Sequence, residues 1–540
     1  MAQIPSTHLP IESTERKPVP GAKRIGPADA AEKLTVSIRV RRRQDAPPVP
    51  GLKDYGPNVP RQRFSREEFA AKFGASQADL DRVAQFGRSY GLEVVESSVA
   101  RRTIVLSGTV EQMNRAFAVD LGRYESPRGN YRGREGAVHI PRELIDVVQS
   151  VFGLDNRLMA RRASGNGPYS LAPRQVAGLY QFPLNINATG QTVGLIEFGG
   201  GYRESDVQEY FSSQGLLTPS VAPVAVDGVT NSPGSSGDLE VALDIEVAGS
   251  VAQGAAIVVY FAPGTEGGWV DVVTTAIMGE NLPAGWNAPS VISISWGLSE
   301  LEKSGDPSWT QAAFDAMSQT FEEAAMLGIT VFVSSGDNGS DCRVGNHRAH
   351  VNYPASDPWV TSCGGTTIKN INGNNFTELT WNEGGKHDGV TGGGISDIFG
   401  MPPWQRWANV PVSVNDGHTG RGVPDIGGYA DGYKIYVDGA WQDGVWGTSE
   451  AAPFYAGLMI LINAAVADPV GYINPILYNL SYDRVFRDID DGGSNAESGA
   501  PGYTSVAGWD ACTGWGSVNG SALLNAVETA LFSMILPTLA

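Results

Sequence analysis

A serine in a Gly-Thr-Ser segment is the residue of this chain that most directly suggests chemistry. Ser449 lies in the string G-T-S-E-A-A-P (447–453), which runs into an apolar stretch of helical length. In the first turn of a helix, a serine hydroxyl lies beside backbone N–H groups and the positive end of the helix dipole, which suits a developing oxyanion. An ordinary N-cap serine is the alternative, because such caps are common and need no chemistry. The segment by itself favours the N-cap.

The longer string around Ser449 resembles the serine motif of the subtilase superfamily, in which a histidine activates the serine. Such a histidine stands in a His-Gly-Thr context, which none of the six histidines of this chain has; they are His8, His139, His347, His350, His387 and His418. If Ser449 is a nucleophile, another group must therefore accept its proton. A carboxylate can do so, and an enzyme that uses one works best in acid, near the pKa of the carboxyl group.

Two carboxyl side chains at helical spacing could supply that base. Glu240 and Asp244 lie four residues apart, so a helix places them on one face. Apolar residues surround them in the sequence, and no Lys or Arg occurs between Arg203 and Lys303. Two close carboxyls that share a proton have one raised pKa and can act as a proton relay. A solvated acidic helix face is the alternative interpretation of the same spacing.

A third carboxyl follows a predicted strand. Asp337 stands in S-S-G-D-N-G, directly after the apolar run I-T-V-F-V (329–333), which puts it at the carboxyl end of that strand. The same string is a good turn sequence, so a purely structural role is the alternative.

Together these segments resemble the sedolisin (serine-carboxyl peptidase) family, and its kumamolisin-like branch in particular. The resemblance rests on E-V-A-L-D-I-E-V-A-G (240–249), A-A-I-V-V-Y-F-A-P (255–263), S-S-G-D and G-T-S. It implies that Ser449 is the nucleophile, that Glu240 is the general base and that Asp244 supports Glu240. It also implies that Asp337 is the oxyanion-hole residue. A carboxylate would repel the oxyanion, so Asp337 must be protonated to donate a hydrogen bond, which is a second reason to expect acid activity.

Two further residues match supporting positions of the kumamolisin-like branch. Glu197, in L-I-E-F-G-G-G-Y, is expected to hydrogen-bond towards Glu240. Trp296, in S-I-S-W-G, is expected to contact the same network. Either residue could instead be an ordinary residue at the end of a strand.

Acidic turns near the C-terminus match the calcium site of the same family. Their oxygen donors suit Ca²⁺, although the spacing is not that of an EF-hand and by itself favours plain acidic turns. The resemblance implies one structural Ca²⁺, bound by the carboxylates of Asp488 and Asp510 and by the carbonyls of Ile489, Val506 and Gly508. Val506 replaces a glycine of the family, which matters little for a carbonyl ligand. The additional carboxylates of Asp490 and Asp491 leave the ligand set open.

The elements that position these residues begin after a polar lead-in, residues 1–31, which we expect to be flexible. Residues 32–156 predict a ferredoxin-like α+β pro-domain with the order β-α-β-β-α-β. Its strands are expected at Leu34–Arg42, Glu93–Ser97, Thr103–Leu106 and Val119–Tyr124, and capping boxes predict helix starts at Ser65 and Thr109. Residues 157–169 are basic and rich in small residues, which predicts an exposed linker with the maturation cleavage.

Residues 170–540 predict the catalytic domain, which contains the calcium site. Nearly continuous apolar runs alternate with helical stretches such as Trp309–Leu327, and the runs are Val193–Glu197, Ala256–Phe261, Ser290–Ser295 and Thr330–Ser334. Such runs are typical of parallel strands buried on both faces. We therefore expect an α/β fold with a doubly wound parallel sheet, subtilisin-like by the resemblance, and functional groups at the carboxyl ends of its strands.

Charge divides the chain in the same place. Through Gly165 there are 27 Lys and Arg against 19 Asp and Glu, a net charge of +8, whereas the remainder carries −27. Ordinary variation between domains could produce this division. Alternatively, a basic first domain docks on an acidic second domain, and acid weakens the contact by protonating carboxylates.

The remaining features of the sequence bound the class of protein. No apolar run approaches the ~20 residues that cross a bilayer, and no secretory signal is visible. Three cysteines, Cys342, Cys363 and Cys512, imply no disulfide framework and leave one bond or three free thiols open. The family resemblance alone suggests an extracellular location. We expect protein or peptide substrates, the pro-domain as an intramolecular inhibitor, a monomer, and neither nucleic-acid nor membrane partners.

The sequence thus predicts an acid-active serine-carboxyl endopeptidase that is made as a self-processing zymogen. A tripeptidyl-peptidase of the same family would use the same residues with one end of the cleft blocked, and it stays open. A non-catalytic, calcium-stabilised binding protein is a third interpretation, against which the presence of all four catalytic side chains argues.

Overall fold

The first domain is built on a four-stranded antiparallel sheet. The computed structural model describes residues 4–56, 63–161, 165–166, 170–384, 389–480 and 482–535. The strands of this sheet lie in the spatial order Glu93–Ser98, Thr103–Thr109, Lys33–Val40 and Val148–Phe152. Two helices pack on it, Gln77–Ser89 and Val110–Phe117. A third helix, Arg66–Phe73, buries Phe69 and Phe73 in a hydrophobic cluster of the second domain. The capping boxes at Ser65 and Thr109 are both present, so these helix starts are confirmed. The arrangement is the expected ferredoxin-like α+β unit.

The last strand of this unit was predicted in the wrong place. Gly122–Glu125 is a strand, but it pairs with Lys23–Pro27 and with Tyr131–Gly133 in a separate three-stranded sheet. The fourth strand of the main sheet is Val148–Phe152. Val119 and Leu121 are buried in the domain core, so burial, without ladder pairing, accounts for their alternating pattern.

The expectation of a flexible lead-in is wrong for residues 4–31. His8–Ile11 pairs with Val138–Pro141, and Lys23–Pro27 pairs with Gly122–Glu125, in both cases antiparallel. These strands are stabilised by partners more than 90 residues away in the sequence, which a local pattern does not reveal. We call residues 4–31 the N-terminal arm.

The second domain has a central eight-stranded sheet. Seven strands follow one another in the spatial order Val221–Ala225, Ala256–Phe261, Thr192–Glu197, Val291–Ile294, Thr330–Ser334, Thr361–Asn372 and Asn375–Thr380. The eighth, Ile426–Tyr429, pairs with Thr361–Asn372. All pairings are parallel except that of Thr361–Asn372 with Asn375–Thr380. The predicted parallel sheet and its four apolar strands are confirmed.

Helices cover both faces of this sheet. Asp238–Val251 and Ala451–Val466 share one hydrophobic cluster with Val193 and Leu195, whereas Glu266–Met278 and Gln311–Leu327 share another with Ile196. The other helices are Pro173–Leu179, Glu204–Ser213, Asn474–Leu477, Tyr482–Val485 and Gly520–Ile535. The minor strands are Gly165–Asn166, Leu298–Ser299, Asn352–Tyr353, Gly394–Ile395, Gly422–Val423, Tyr433–Val437, Ala440–Trp446, Phe486–Arg487 and Ser517–Val518. The domain is therefore a three-layer α/β/α structure.

Among the described residues, one helix, Thr448–Val466, is long and apolar enough to cross a membrane by length and composition. Of its most apolar window, 83% is buried inside the protein. It is thus the central core helix of the second domain. The C-terminal residues 536–540 lie outside the described residues.

The two domains dock through ion pairs. Basic side chains of the first domain meet carboxylates of the second in the pairs Arg16–Glu266, Lys17–Asp306, Arg42–Glu322, Arg101–Glu280 and Arg128–Glu302. The most buried group is Glu323, which has Arg102 at 2.9 Å, Arg42 at 3.0 Å and Arg39 at 3.5 Å. Complementary charge therefore contributes to the contact, as the division of charge along the sequence suggested.

The described residues of the predicted linker pair with the second domain at two places. Arg161 and Gly297 exchange backbone hydrogen bonds of 3.2 and 3.3 Å. Further on, Gly165–Asn166 pairs antiparallel with Trp446 and Val445. Residues 162–164 and 167–169, which belong to the predicted linker, lie outside the described residues.

Candidate active site

The predicted pair of carboxyls lies on a helix that is buried along its whole length. Glu240 and Asp244 both belong to Asp238–Val251, and the exposed fraction of each is 0%. Asp238 stabilises the start of this helix, because its carboxylate accepts a hydrogen bond from the Gly201 N–H at 3.0 Å. The solvated acidic face that the spacing also allowed is therefore excluded.

Ser295 connects this helix to the serine. The Ser295 hydroxyl donates to Asp244 Oδ1 at 2.8 Å, and the Ser449 hydroxyl donates to the Ser295 carbonyl at 3.3 Å. Ser449 lies in the single helical turn Thr448–Glu450, which leads directly into Ala451–Val466. Neither this turn nor the helix has a side-chain cap hydrogen bond, so an N-cap role does not explain Ser449.

Glu197 and Trp296 extend the carboxyl cluster. The Trp296 indole N–H donates to Glu197 Oε2 at 3.0 Å. Burial, followed by the charges of Asp244 and Glu240, raises the pKa of Glu197 well above its usual value. Burial also raises the pKa of Asp244, although the hydrogen bond from Ser295 acts in the opposite direction. Apolar surroundings and neighbouring carboxyls thus favour bound protons at this cluster.

Asp337 approaches the serine from the other side. Its Oδ1 accepts hydrogen bonds from the Thr448 N–H at 2.7 Å and from the Thr448 hydroxyl at 2.6 Å. Burial raises the pKa of Asp337 to about 7, despite these bonds, which favour the anion. Asp337 Oδ2 is buried and has no hydrogen-bond partner among the described residues. A protonated Asp337 can therefore offer a hydrogen bond to a ligand beside Ser449.

The described histidines take part in other contacts. His350 Nε2 is 2.8 Å from Asn346 Oδ1, and His418 Nδ1 is 2.6 Å from Asp416 Oδ1. His8 and His139 belong to the first domain, and His387 lies outside the described residues. Within the described residues, the side chains that hydrogen bonds connect around Ser449 and Thr448 carry carboxyl and hydroxyl groups.

Several residues of this arrangement were not identified from the sequence. Ser295 stands in the quoted motif S-I-S-W-G, and its position at a strand's carboxyl end was the available signal. Thr448 was visible in G-T-S, but its bonds to Asp337 depend on the fold. Glu246 and Glu450 are buried carboxyls that accept backbone hydrogen bonds, from Tyr436 at 3.0 Å and from Tyr433 at 2.6 Å. No sequence signal separated them from solvated glutamates.

The residues predicted to bind calcium come together around one loop. Asp488 Oδ2 accepts a hydrogen bond from Gly508 N–H at 2.8 Å, and Asp510 Oδ2 accepts one from Val506 N–H at 3.2 Å. Asp488 Oδ1 is buried and has no hydrogen-bond partner among the described residues. Ile489 follows Asp488 directly and is buried.

This donor set fits a hard cation of oxygen preference. Two carboxylates and the carbonyls of a loop that both carboxylates contact are ligands that Ca²⁺ accepts, and the unpartnered Asp488 oxygen would gain a partner. Asp491 is engaged elsewhere, because it accepts hydrogen bonds from the hydroxyls of Thr380 and Ser505. The described residues contain no cluster of three or more His, Cys, Asp or Glu side chains that could hold a metal. Backbone carbonyls would therefore have to complete the coordination.

All three cysteines are free thiols, and each is buried. Of the two possibilities that the sequence left open, the structure therefore has three unpaired cysteines.

Comparison with known proteins identifies the family. Residues 20–157 match the family described as "Pro-kumamolisin, activation domain", and residues 220–469 match the "Subtilase family". The chain is 40% identical to kumamolisin from Bacillus sp. (strain MN-32) over 536 residues, which cover 95% of each chain. It is 29% identical to tripeptidyl-peptidase sed5 from Aspergillus fumigatus over 96% of this chain and 97% of that one.

A solved structure supports the same assignment. Pseudomonas sedolisin, a serine-carboxyl proteinase complexed with two molecules of pseudo-iodotyrostatin, superposes with a TM-score of 0.58 at 27% identity. The match covers 68% of this chain and 99% of the sedolisin chain. The expected subtilisin-like fold is thereby confirmed. The chain therefore belongs to the sedolisin family of serine-type peptidases, as a kumamolisin-like member that carries an activation domain.

Proposed function

We propose that this chain is the zymogen of an acid-active serine-carboxyl endopeptidase, with Ser449 as the nucleophile. The observation that carries the proposal is the setting of Ser449 between two kinds of carboxyl. On one side, Ser295 links it to Asp244 on the helix that also bears Glu240. On the other side, Thr448 is hydrogen-bonded to Asp337.

In this mechanism, Glu240 accepts the proton of the Ser449 hydroxyl as the oxygen attacks the substrate carbonyl carbon. Asp244 orients Glu240 and supports its charge. The tetrahedral intermediate then collapses, the amine leaves with the proton returned by Glu240, and an acyl-enzyme remains. A water molecule, activated by the same base, hydrolyses the ester.

Asp337 acts as the proton-bearing donor to the oxyanion. Its pKa of about 7 keeps it protonated in acid, and it loses this proton as the pH rises through that value. The base requires the opposite state, because a carboxyl that is already protonated accepts nothing. Activity should therefore fall as the pH rises through the pKa of Asp337. It also requires Glu240 to be unprotonated while its neighbours Glu197 and Asp244 hold the protons that burial favours.

Self-processing is supported by the course of the linker. Its described residues pair with Gly297, two residues after Ser295, and with Trp446, three residues before Ser449. These pairings hold the described linker residues near the catalytic residues, which supports the proposal that residues 32–156 act as an inhibitor until the linker is cut. Residues 157–169 remain the linker in this proposal, and residues 170–540 the mature domain.

We also propose one structural Ca²⁺ per chain, held by Asp488 and Asp510 and by the carbonyls of Ile489, Val506 and Gly508. The ion would stabilise the loop to which both carboxylates are bonded. Membership of the family also leads us to propose an extracellular enzyme that acts on protein or peptide substrates. A monomer without nucleic-acid or membrane partners is part of the same proposal.

A tripeptidyl-peptidase activity is the second candidate, because the similar protein from Aspergillus fumigatus bears that name. Products from a long denatured protein separate the two activities. An endopeptidase gives internal fragments of many lengths, whereas release of three-residue fragments from one end would overturn our assignment. A purely non-catalytic binding protein would give no products.

The proposal is tested by a pH–activity profile of the wild type and Glu240→Gln on a protein substrate. We expect wild-type activity in acid and a loss of about 10²–10⁴-fold in kcat for the variant, since that is the usual contribution of a general base. Glu209→Gln, which changes an exposed glutamate, is the matched control. Ser449→Ala should remain as the uncut chain at pH 4. Cutting of that variant in isolation would contradict self-processing.

A further inference from the structure

A pocket opens beside Ser449 and offers a place for a substrate side chain. Thr448, which precedes the serine, and Asp337 form one part of its lining. The remaining lining comes from Arg161, Ser295, Gly297, Leu298, Ser299, Ser334, Gly336, Asn338, Cys342, Arg343 and Asn352. Because the lining includes the neighbour of Ser449 and the proposed oxyanion donor Asp337, we place the side chain of the residue immediately before the cleaved bond in this pocket.

The linker gives the direction in which a substrate would enter. Arg161 lines the pocket and lies antiparallel to Gly297 through two backbone hydrogen bonds. A substrate that pairs with Gly297 in the same way would bring a side chain to this pocket.

Arg343 is the cationic side chain that the mature domain contributes to this lining. Its Nε donates to Asn338 Oδ1 at 2.5 Å, and within the described residues its terminal nitrogens have no hydrogen-bond partner. Its charge is felt in the cleft, since it contributes to lowering the pKa of Arg161 and acts in the same direction on Asp337. Arg343 and the preceding Cys342 both have positive φ, 58° and 49°, a conformation that non-glycine residues adopt at a cost.

The opposite part of the lining carries no compensating anion. Asn352 contributes a neutral amide, whose N–H donates to the Ser335 carbonyl at 3.3 Å. The carboxyl on the lining is Asp337, which must be neutral for the proposed reaction. Glu302 also acts on Arg161, but it is bonded to Arg128 in the pro-enzyme and does not line this pocket. The charges of Asp341 and Glu300 act on Cys342 from outside the lining. With Asp337 neutral, Arg343 is therefore the charged side chain that the mature domain contributes to the lining itself.

We propose that Arg343 determines specificity, so that the mature enzyme prefers peptides with a carboxylate side chain immediately before the cleaved bond. This proposal rests on the peptidase function proposed above. A lysine or arginine at that position should be disfavoured by repulsion. In the zymogen, Arg161 of the linker lies in the pocket beside the cation Arg343, so the two charges repel each other. The docking of the first domain must offset this repulsion.

Peptides that differ only in the residue before the cleaved bond test the proposal. We would measure kcat and KM for Glu, Gln and Lys peptides between pH 3 and pH 6, with wild type, Arg343→Gln and Arg348→Gln. Arg348 is an exposed residue near Arg343 in the sequence that pairs with Asp416 and does not line the pocket, so it is the control. In the wild type, the ratio of kcat/KM for Glu over Gln should rise as the substrate side chain ionises near pH 4.3.

In Arg343→Gln that ratio should fall by about 3- to 5-fold, mainly through KM, which is the size expected for an exposed ion pair. Arg343→Glu should instead favour the Lys peptide, and added salt should reduce the wild-type ratio. An unchanged ratio in Arg343→Gln, or a wild-type ratio that does not vary with pH, would overturn the proposal even though the Gln peptide is cleaved. No cleavage of any peptide would overturn the peptidase function itself.

Discussion

Buried carboxyl side chains occur in two contrasting settings in this molecule, one near Ser449 and one at the contact between the domains. Glu197, Asp244 and Asp337 around Ser449 have raised pKa values, each chiefly because of burial. Glu323, at the contact between the domains, is equally buried, yet the surrounding guanidinium groups overcome burial and hold its pKa below the usual value. Burial alone therefore does not decide whether a carboxyl keeps its proton; the sign of the neighbouring charges does.

Because of this difference, Glu323 and the carboxyls near Ser449 should respond to acid in opposite ways. A group whose pKa is lowered in the folded state contributes stability that is complete above its ordinary value, 4.5 for Glu323, and is lost as the pH falls through the lowered value. The carboxyls near Ser449 bind protons already at higher pH. Acid therefore weakens the contact between the domains in the same range that keeps Asp337 protonated.

Of the proposed substitutions, removal of the charge of Glu323 should have the largest effect, and it should weaken the contact between the domains. Glu323→Gln leaves the buried Arg39 and Arg102 without their anion, and burial together with Arg39 already lowers the pKa of Arg102 to about 9. We expect the contact to weaken by about 3–5 kcal/mol, the usual cost of breaking a buried pair on one side. Native-state hydrogen exchange of the first domain, in the uncut Ser449→Ala chain, measures this opening free energy.

Glu322→Gln is the matched control for that measurement. Glu322 is the neighbouring residue, but its side chain is 18% exposed and its ion pair is with Arg42. Its loss should cost at most about 1 kcal/mol. Equal effects of the two substitutions would contradict the special role of Glu323.

Substitutions at Asp337 test the setting near Ser449, where the carboxyl is expected to keep its proton. Asn donates a hydrogen bond at every pH, so in Asp337→Asn the fall of kcat near pH 7 should disappear, and activity should then end at higher pH. Asp337→Ala has no donor and should lose about 10²–10³-fold in kcat. Full pH–kcat profiles distinguish these outcomes, with Asp341→Asn in the neighbouring turn as control. If kcat of Asp337→Asn still falls near pH 7, the ionisation of another group causes that fall.

Asp488 represents a third setting, a loop near the C-terminus, and its buried Oδ1 has no hydrogen-bond partner within the described part of the chain. If Ca²⁺ is held there at 100 times its Kd, chelation removes about 2.7 kcal/mol of stability. We therefore expect Tm to fall by several degrees when a chelator is added, at about 2–4 °C per kcal/mol. Asp488→Asn should lower Tm and remove the response to chelator, whereas exposed Asp490→Asn should preserve it. Calorimetry that finds no chelator effect on the wild type would exclude the site.

The sequence predicted those parts of the molecule that depend on neighbouring residues. The four apolar strands of the central sheet, the capped helices and the placement of Glu240 and Asp244 on one helix all follow from local spacing. The strand Val148–Phe152 and the N-terminal arm were missed, because their partners are distant in the sequence. Ser295 was missed for the same reason. In the sequence it is an ordinary serine at the end of a strand, and only the fold brings its hydroxyl to 2.8 Å from Asp244 Oδ1.

The linker has a consequence that depends on concentration. While its chain is continuous, the first domain is tethered to the cleft, so its local concentration there is fixed by the length of the tether. If the linker is cut as proposed, the same contact becomes an association of two separate molecules. Dilution then favours separation although no ion pair has changed. Dense and dispersed preparations of one enzyme should therefore differ in how completely they become active.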